Sequence, residues 1–206
     1  MFKIISDVVN IQDRYKLKVI PFKEEQTFDD VGYTRFIVCN GAFTSPNANF
    51  SGMFVGSFNK SFTVSGEGLV IELPGYLLLD EKFSFVNSQA PGNLSYIDGC
   101  SNSNLIDPPR NGDPCLNYLY FPEGIDQTFH THPSLRIGMI LEGTGYACLR
   151  NQEVPLNPGN IFVLDRFTLH RFRTTNSHMS LVAFHPDSED GPRDEFNPMK
   201  SRTYIQ

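Results

Sequence analysis

At 206 residues, the chain is long enough to bury a substantial core. Its net charge of −6, with no Lys/Arg cluster, speaks against binding nucleic acid or an anionic membrane surface by charge. No apolar run approaches the roughly twenty residues of a membrane span, and the opening Met1-Phe-Lys-Ile-Ile-Ser-Asp lacks the long apolar region of a secretory signal. The chain holds 18 Phe and 8 Tyr but no Trp, and its 16 Gly and 14 Pro suit many short strands joined by tight turns. Cysteines at 39, 100, 115 and 148 form no Cys-x-x-Cys pair. The expectation is free thiols in a reducing, cytoplasmic setting, with Cys100 and Cys115, which flank one loop, as the pair to check.

In chain order, short apolar runs predict strands at 16–21 and 33–39, with a short helix or turn near 8–14. No strong amphipathic helix shows anywhere. Phe62-Thr-Val-Ser-Gly66-Glu-Gly68 followed by Leu73-Pro74-Gly75 echoes Met139-Ile-Leu-Glu-Gly143-Thr-Gly145 followed by Asn157-Pro158-Gly159. That order of strand, Gly-x-Gly, strand, Pro-Gly and strand predicts a duplicated β-unit aligned on Gly66 and Gly143, although such glycine punctuation occurs in any β-protein. The N-terminal half contains no histidine. The Ser/Asn/Pro/Gly-rich stretch 86–114 reads as a linker or long surface loop, with a strand near 93–97. The resulting division is 1–90, a linker at 91–114, and 115–206.

From Leu116 onward strands are predicted at 116–121, 128–133, 136–142, 144–150, 152–155, 160–165, 168–174 and 179–185. Eight short strands separated by Gly, Pro and Asn suit a jelly roll enclosing a small-molecule cavity. Within them, His130 and His132 stand two apart, so on a strand both imidazoles point to one face. Imidazole is the commonest protein ligand for transition metals near neutral pH. Gly124, the His130-x-His132 pair and Gly143 are spaced as glycine, five residues, His-x-His and, further on, glycine. Gly159 and His170 come after them.

These residues resemble the two motifs of the cupin superfamily over roughly the last ninety residues. In that family a glutamate stands where this chain has Arg136. Asp165 stands at the second motif's proline, Phe167 at its glycine and Thr174 at its asparagine. The resemblance implies an all-β, cupin-type jelly roll, as a two-unit arrangement if the N-terminal half is a degenerate copy, and a homodimer by family default. It also implies a divalent transition metal (Fe, Zn, Mn or Ni) held by His130, His132 and His170.

Arg136 shares parity with the two histidines and is expected to point inward unless a bulge intervenes, the plain alternative being a strand-edge arginine paired at the surface; a guanidinium cannot ligate a metal. Three outcomes are open. Arg136 turns aside from a three-histidine site; or it gathers an anionic substrate, with Asp165; or the metal site is lost to a hydrogen-bonding pocket. A buried arginine needs a partner, and Asp165 and Glu142 are the candidates. His185 reads as a plain strand-end histidine, with a place at the cavity mouth as its alternative, and His178 as a turn residue. Two function classes stand: a metal-dependent oxygenase, isomerase or lyase acting on a small molecule, and a non-catalytic, metal-free binding module. The tail from Pro186 is polar and acidic, with Thr203-Tyr-Ile as a further edge strand or a crossing to a second subunit.

Overall fold

The computed structural model describes residues 1–12, 14–110 and 112–187. The proposed edge strand at Thr203-Tyr-Ile lies outside them. The elements are β1 (Phe2–Ile5), β2 (Val9–Gln12), β3 (Lys16–Phe22), β4 (Gln26–Phe28), β5 (Thr34–Ser45), β6 (Ala48–Phe58), β7 (Phe62–Leu73), β8 (Lys82–Phe85) and β9 (Leu94–Ser95). After one short 3-10 turn come β10 (Ser101–Ile106), β11 (Cys115–Phe121), β12 (Arg136–Gly143), β13 (Gly145–Leu149), β14 (Gln152–Leu156), β15 (Ile161–Leu164), β16 (Arg171–Arg173) and β17 (Met179–His185). The protein is an all-β jelly roll.

Two long sheets stack face to face. One has the order β2-β3-β7-β5-β6-β8, with β4 attached to β7; the other runs β1-β15-β12-β17-β11-β10-β9, and a small sheet β14-β13-β16 closes its outer side. Continuous apolar runs form the central strands because both of their faces are covered. In β5, Phe36 and Val38 pack toward the second sheet while Ile37 and Cys39 face the interior of their own half. In β12, Ile137 and Met139 join that shared layer and Ile140 faces inward. Each fully buried side chain of this kind contributes on the order of 2 kcal/mol from area removed from water.

The two strand orders correspond. The sequence β8-β6-β5-β7-β3-β2 in one half mirrors β1-β15-β12-β17-β11-β10 in the other. Registers agree as well: Phe36 lies opposite Ile71 as Ile137 lies opposite Phe184. This alignment places Gly41, rather than Gly66, at Gly143. The sequence echo misled because Gly41 and Gly66 are rungs of one ladder. A Cβ on Gly41 would lie 1.8 Å from the Ser65 carbonyl oxygen, so both positions need glycine where β5 and β7 bend across each other.

Several local expectations change. Residues 128–133 form no strand; a single bridge between His130 and His170 holds them. The strand expected at 168–174 shortens to Arg171–Arg173, and Val9–Gln12 is a strand paired with β3 rather than a helix or turn. The 86–114 stretch carries β9 and β10, which extend the second sheet beside β11. β1, at the start of the chain, pairs with β15 in that same sheet.

Candidate metal centre

The site is built on a backbone pairing. The His130 N–H donates to the His170 carbonyl at 2.9 Å and the His170 N–H donates back to His130 at 3.0 Å. A pair that exchanges both bonds puts its side chains next to each other on one face. His132 lies two residues on, and its carbonyl accepts the Phe167 N–H at 2.8 Å. Ring centroids stand 4.5 Å apart for His130 and His170, and 5.1 Å from each of them to His132. Nitrogen atoms of all three rings lie within 4.8 Å of one another.

Tautomers are set by the neighbours. His130 Nδ1 sits 2.8 Å from the Thr128 carbonyl oxygen, and His170 Nδ1 sits 2.9 Å from that of Thr168. A carbonyl only accepts, so each Nδ1 carries the hydrogen and each Nε2 presents a lone pair. His170 Nε2 is buried with no hydrogen-bond partner. A buried lone pair with nothing donated to it is costly and is what a metal ligand requires. The residues present therefore fit a divalent metal held by His130, His132 and His170. Burial, then Arg136 and the other two histidines, holds His132 down to about 3. Burial outweighs the Thr168 hydrogen bond to hold His170 at about 4. Both imidazoles are neutral, the ligating form, at ordinary pH.

Arg136 faces the same cavity of about 40 Å³, whose walls include His130, His132, His170, Tyr96 and His185 over a floor of Phe162, Leu164, Phe172 and Leu181. Its Nη1 donates to the Ser134 carbonyl at 3.1 Å, to Ser134 Oγ at 2.6 Å and to the Leu135 carbonyl at 3.0 Å. Its Nε is buried without a partner. Ser134 Oγ in turn donates to Asp187 Oδ1 at 3.2 Å, and Tyr15 holds the other Asp187 oxygen. Asp165 and Glu142 are engaged elsewhere. Asp165 pairs with the Met1 ammonium at 3.1 Å, outside the cavity wall, and Glu142 accepts from Ser88 and Gln89.

One cavity residue, Tyr96, escapes sequence reasoning, and His185 takes the cavity position that the sequence left as its alternative. Tyr96 arrives from the stretch expected as a linker. His185 reaches the wall because β17 lies beside β12; burial, then Arg136 and His132, pushes its imidazole well below its ordinary range. All four cysteines are buried and free, and burial raises Cys100 and Cys115 to about 11.

Residues 118–185 match the family model described as Cupin domain. This segment is a cupin domain. The cupin motif glycines Gly124, Gly143 and Gly159 all take positive φ (74°, 71° and 81°), and Phe167, at the second motif's glycine, does so too at 56°. Solved structures share the barrel. A Cupin 2 conserved barrel domain protein from Leptotrichia buccalis is 14% identical, with a TM-score of 0.60 over 90% of this chain and 89% of its own. A putative glyoxylate induced protein from Pseudomonas aeruginosa is 14% identical, with a TM-score of 0.65 over 93% and 83%. A salicylate 1,2-dioxygenase from Pseudaminobacter salicylatoxidans is 9% identical, with a TM-score of 0.61 over 87% and 76%. At these identities the likeness is one of fold. Comparison with curated proteins finds no match in sequence.

The N-terminal half carries the counterpart positions with different chemistry. Phe28 pairs with Phe62 where His130 pairs with His170. Arg35 stands at Arg136 and Glu72 at His185, joined by a buried 2.9 Å ion pair. Phe43, Phe54, Phe58 and Phe62 fill that interior.

Proposed function

We propose that the C-terminal cupin unit holds one divalent transition metal on His130, His132 and His170 and acts there on a small molecule, as a metal-dependent oxygenase, isomerase or lyase. The observation that carries this reading is the buried, partnerless Nε2 of His170 beside two further imidazoles. When bound, the metal supplies a Lewis acid with open positions for an oxygen-donor ligand. The chain's own residues do the rest. The Thr128 and Thr168 carbonyls fix the ring tautomers, Phe162 and Leu181 keep water from the floor, and Arg136 orients an anionic group. The salicylate dioxygenase shows that this barrel accommodates oxygenase chemistry; the site, not that likeness, supports the reading here. The N-terminal unit serves as packing, and a homodimer, the family default, completes the proposal; the four free cysteines support a reducing, cytoplasmic setting.

One observation favours a second reading. Arg136 in place of the motif glutamate removes an anionic ligand and adds a cation, which suits a metal-free binding module. Elemental analysis of untagged protein separates the two. Near-stoichiometric zinc, iron, manganese or nickel supports the metal centre. Less than about a tenth of an equivalent, with no uptake on titration, overturns it.

A further inference from the structure

Charge and donor geometry narrow the ligand of the metal centre proposed above, and the narrowing rests on that metal being bound. No Asp or Glu lines the cavity among the described residues. A divalent ion on three neutral histidines and the Arg136 guanidinium would together bring three positive charges into one apolar-floored space. Among the described residues Asp187 is the counter-charge at hand, and it reaches Arg136 through Ser134. Uncompensated buried charge is costly, so the bound ligand must bring negative charge to both cations.

Donor geometry on Arg136 is specific. Every hydrogen bond the guanidinium makes among the described residues leaves from Nη1. The edge formed by Nε and Nη2 stays open, and Nε is buried without a partner. Parallel N–H bonds from such an edge match the two oxygens of a carboxylate.

We infer that the ligand is a small carboxylate bearing a second anionic oxygen group, a dicarboxylate being the simplest case, with one carboxylate held by Arg136 and the second group facing the three-histidine centre. Neutral amides and simple hydrocarbons lack both anchors and are excluded from the class. Tyr15, Asp187 and Ser134 act as positioning residues that hold the guanidinium in place.

The test uses the full chain loaded with Co(II), whose visible absorption reports its ligands, with malonate as the probe and malonamide as the neutral comparator. Cobalt uptake is measured first. Malonate should shift the cobalt bands and release or absorb heat in calorimetry, while malonamide does neither. Arg136→Met should weaken malonate at least tenfold with cobalt uptake retained, and Arg136→Lys should recover part of the loss. Equal malonate affinity in Arg136→Met, or malonamide binding as well as malonate, overturns the inference. If Arg136→Met fails to fold, the comparison of malonate with malonamide on the unmodified chain decides. Absence of cobalt uptake overturns the metal reading itself. In that event malonate binding by the metal-free chain that is lost on substituting Arg136 upholds the carboxylate site, and no binding removes it.

Discussion

Phe28 and Phe62 stack 4.9 Å apart at the rung of the N-terminal sheet that corresponds to the His130–His170 rung of the C-terminal one, where the rings stand 4.5 Å apart. The same backbone arrangement thus holds an aromatic plug in one half and a histidine pair in the other. Arg35 caps the plug, its guanidinium 5.3 Å from the Phe28 ring centroid, close enough for a cation–π contact.

Metal stoichiometry should therefore be one per chain. Titration with Co(II) followed by dialysis and elemental analysis should give one equivalent. His170→Asn should weaken binding by more than the 10–100-fold typical of losing an outer-shell partner. Two equivalents, or full retention in His170→Asn, would contradict the assignment.

The histidines also make stability depend on pH. In the folded, metal-free chain His170 takes a proton only near pH 4, against 6.5 when unfolded. Between these values the unfolded chain binds more protons, so the free energy of unfolding falls as pH falls. The contribution is whole above about pH 6.5 and is lost on acidification toward pH 4. From pH 7 to pH 5, His170 alone should account for a loss on the order of 2 kcal/mol, and His132, held to about 3, acts in the same direction. Urea midpoints measured in the presence of a chelator check this. His170→Asn should flatten the slope, and an unchanged slope would count against a buried neutral imidazole.

Phe167 stands at a left-handed turn, with φ of 56°, and its side chain is 64% exposed. A side chain at such a φ costs about 1–2 kcal/mol, while glycine gives back about 0.4–1 kcal/mol through the unfolded chain. Phe167→Gly should therefore raise stability by about 0.5 kcal/mol, and Phe167→Val should lower it by about 1 kcal/mol. Thermal melts of the two variants provide the check. A destabilised glycine variant would show that the Phe167 ring packs onto the site.

Glu72 answers two cations, Arg35 at 2.9 Å and Lys18 at 3.8 Å. Arg35 is only 5% exposed. Glu72→Gln leaves that guanidinium buried without its counter-charge and should cost about 3 kcal/mol. The double change Arg35→Met with Glu72→Leu should recover most of the loss, since an apolar pair of similar volume replaces both charges. Cobalt uptake by the C-terminal half should not change in either variant; a drop would reveal coupling between the two interiors.

The histidine cluster was legible because its chemistry is local. Two of the histidines lie within three residues, and the third sits at a motif position. Arg136 faces the cavity beside the two histidines as its parity predicts, although 128–133 is not a strand and a bend at 133–134 lies between them. The partners of Arg136 were not legible. Ser134 is a neighbour in sequence, but Asp187 reaches it only across the end of β17. Tyr96 escaped, and His185 was left open, for a related reason: strand order puts them in the wall, and strand order is not written in any one segment. The duplication was visible as glycine punctuation, but its phase was not. Gly41 and Gly66 oppose each other in one ladder, so either could be matched to Gly143 until the pairing was known.

Phe2 stacks on Phe162 at 5.1 Å, and Phe162 forms part of the cavity floor. The first strand of the chain thus buttresses the histidine-bearing barrel, while the next, β2, already belongs to the opposite sheet. Each half borrows or lends an outer strand across the seam, like two hands with interlaced fingers. The molecule should melt as one cooperative body, and a protease cut in the 107–113 loop should leave both pieces clasped together rather than releasing a free-standing barrel.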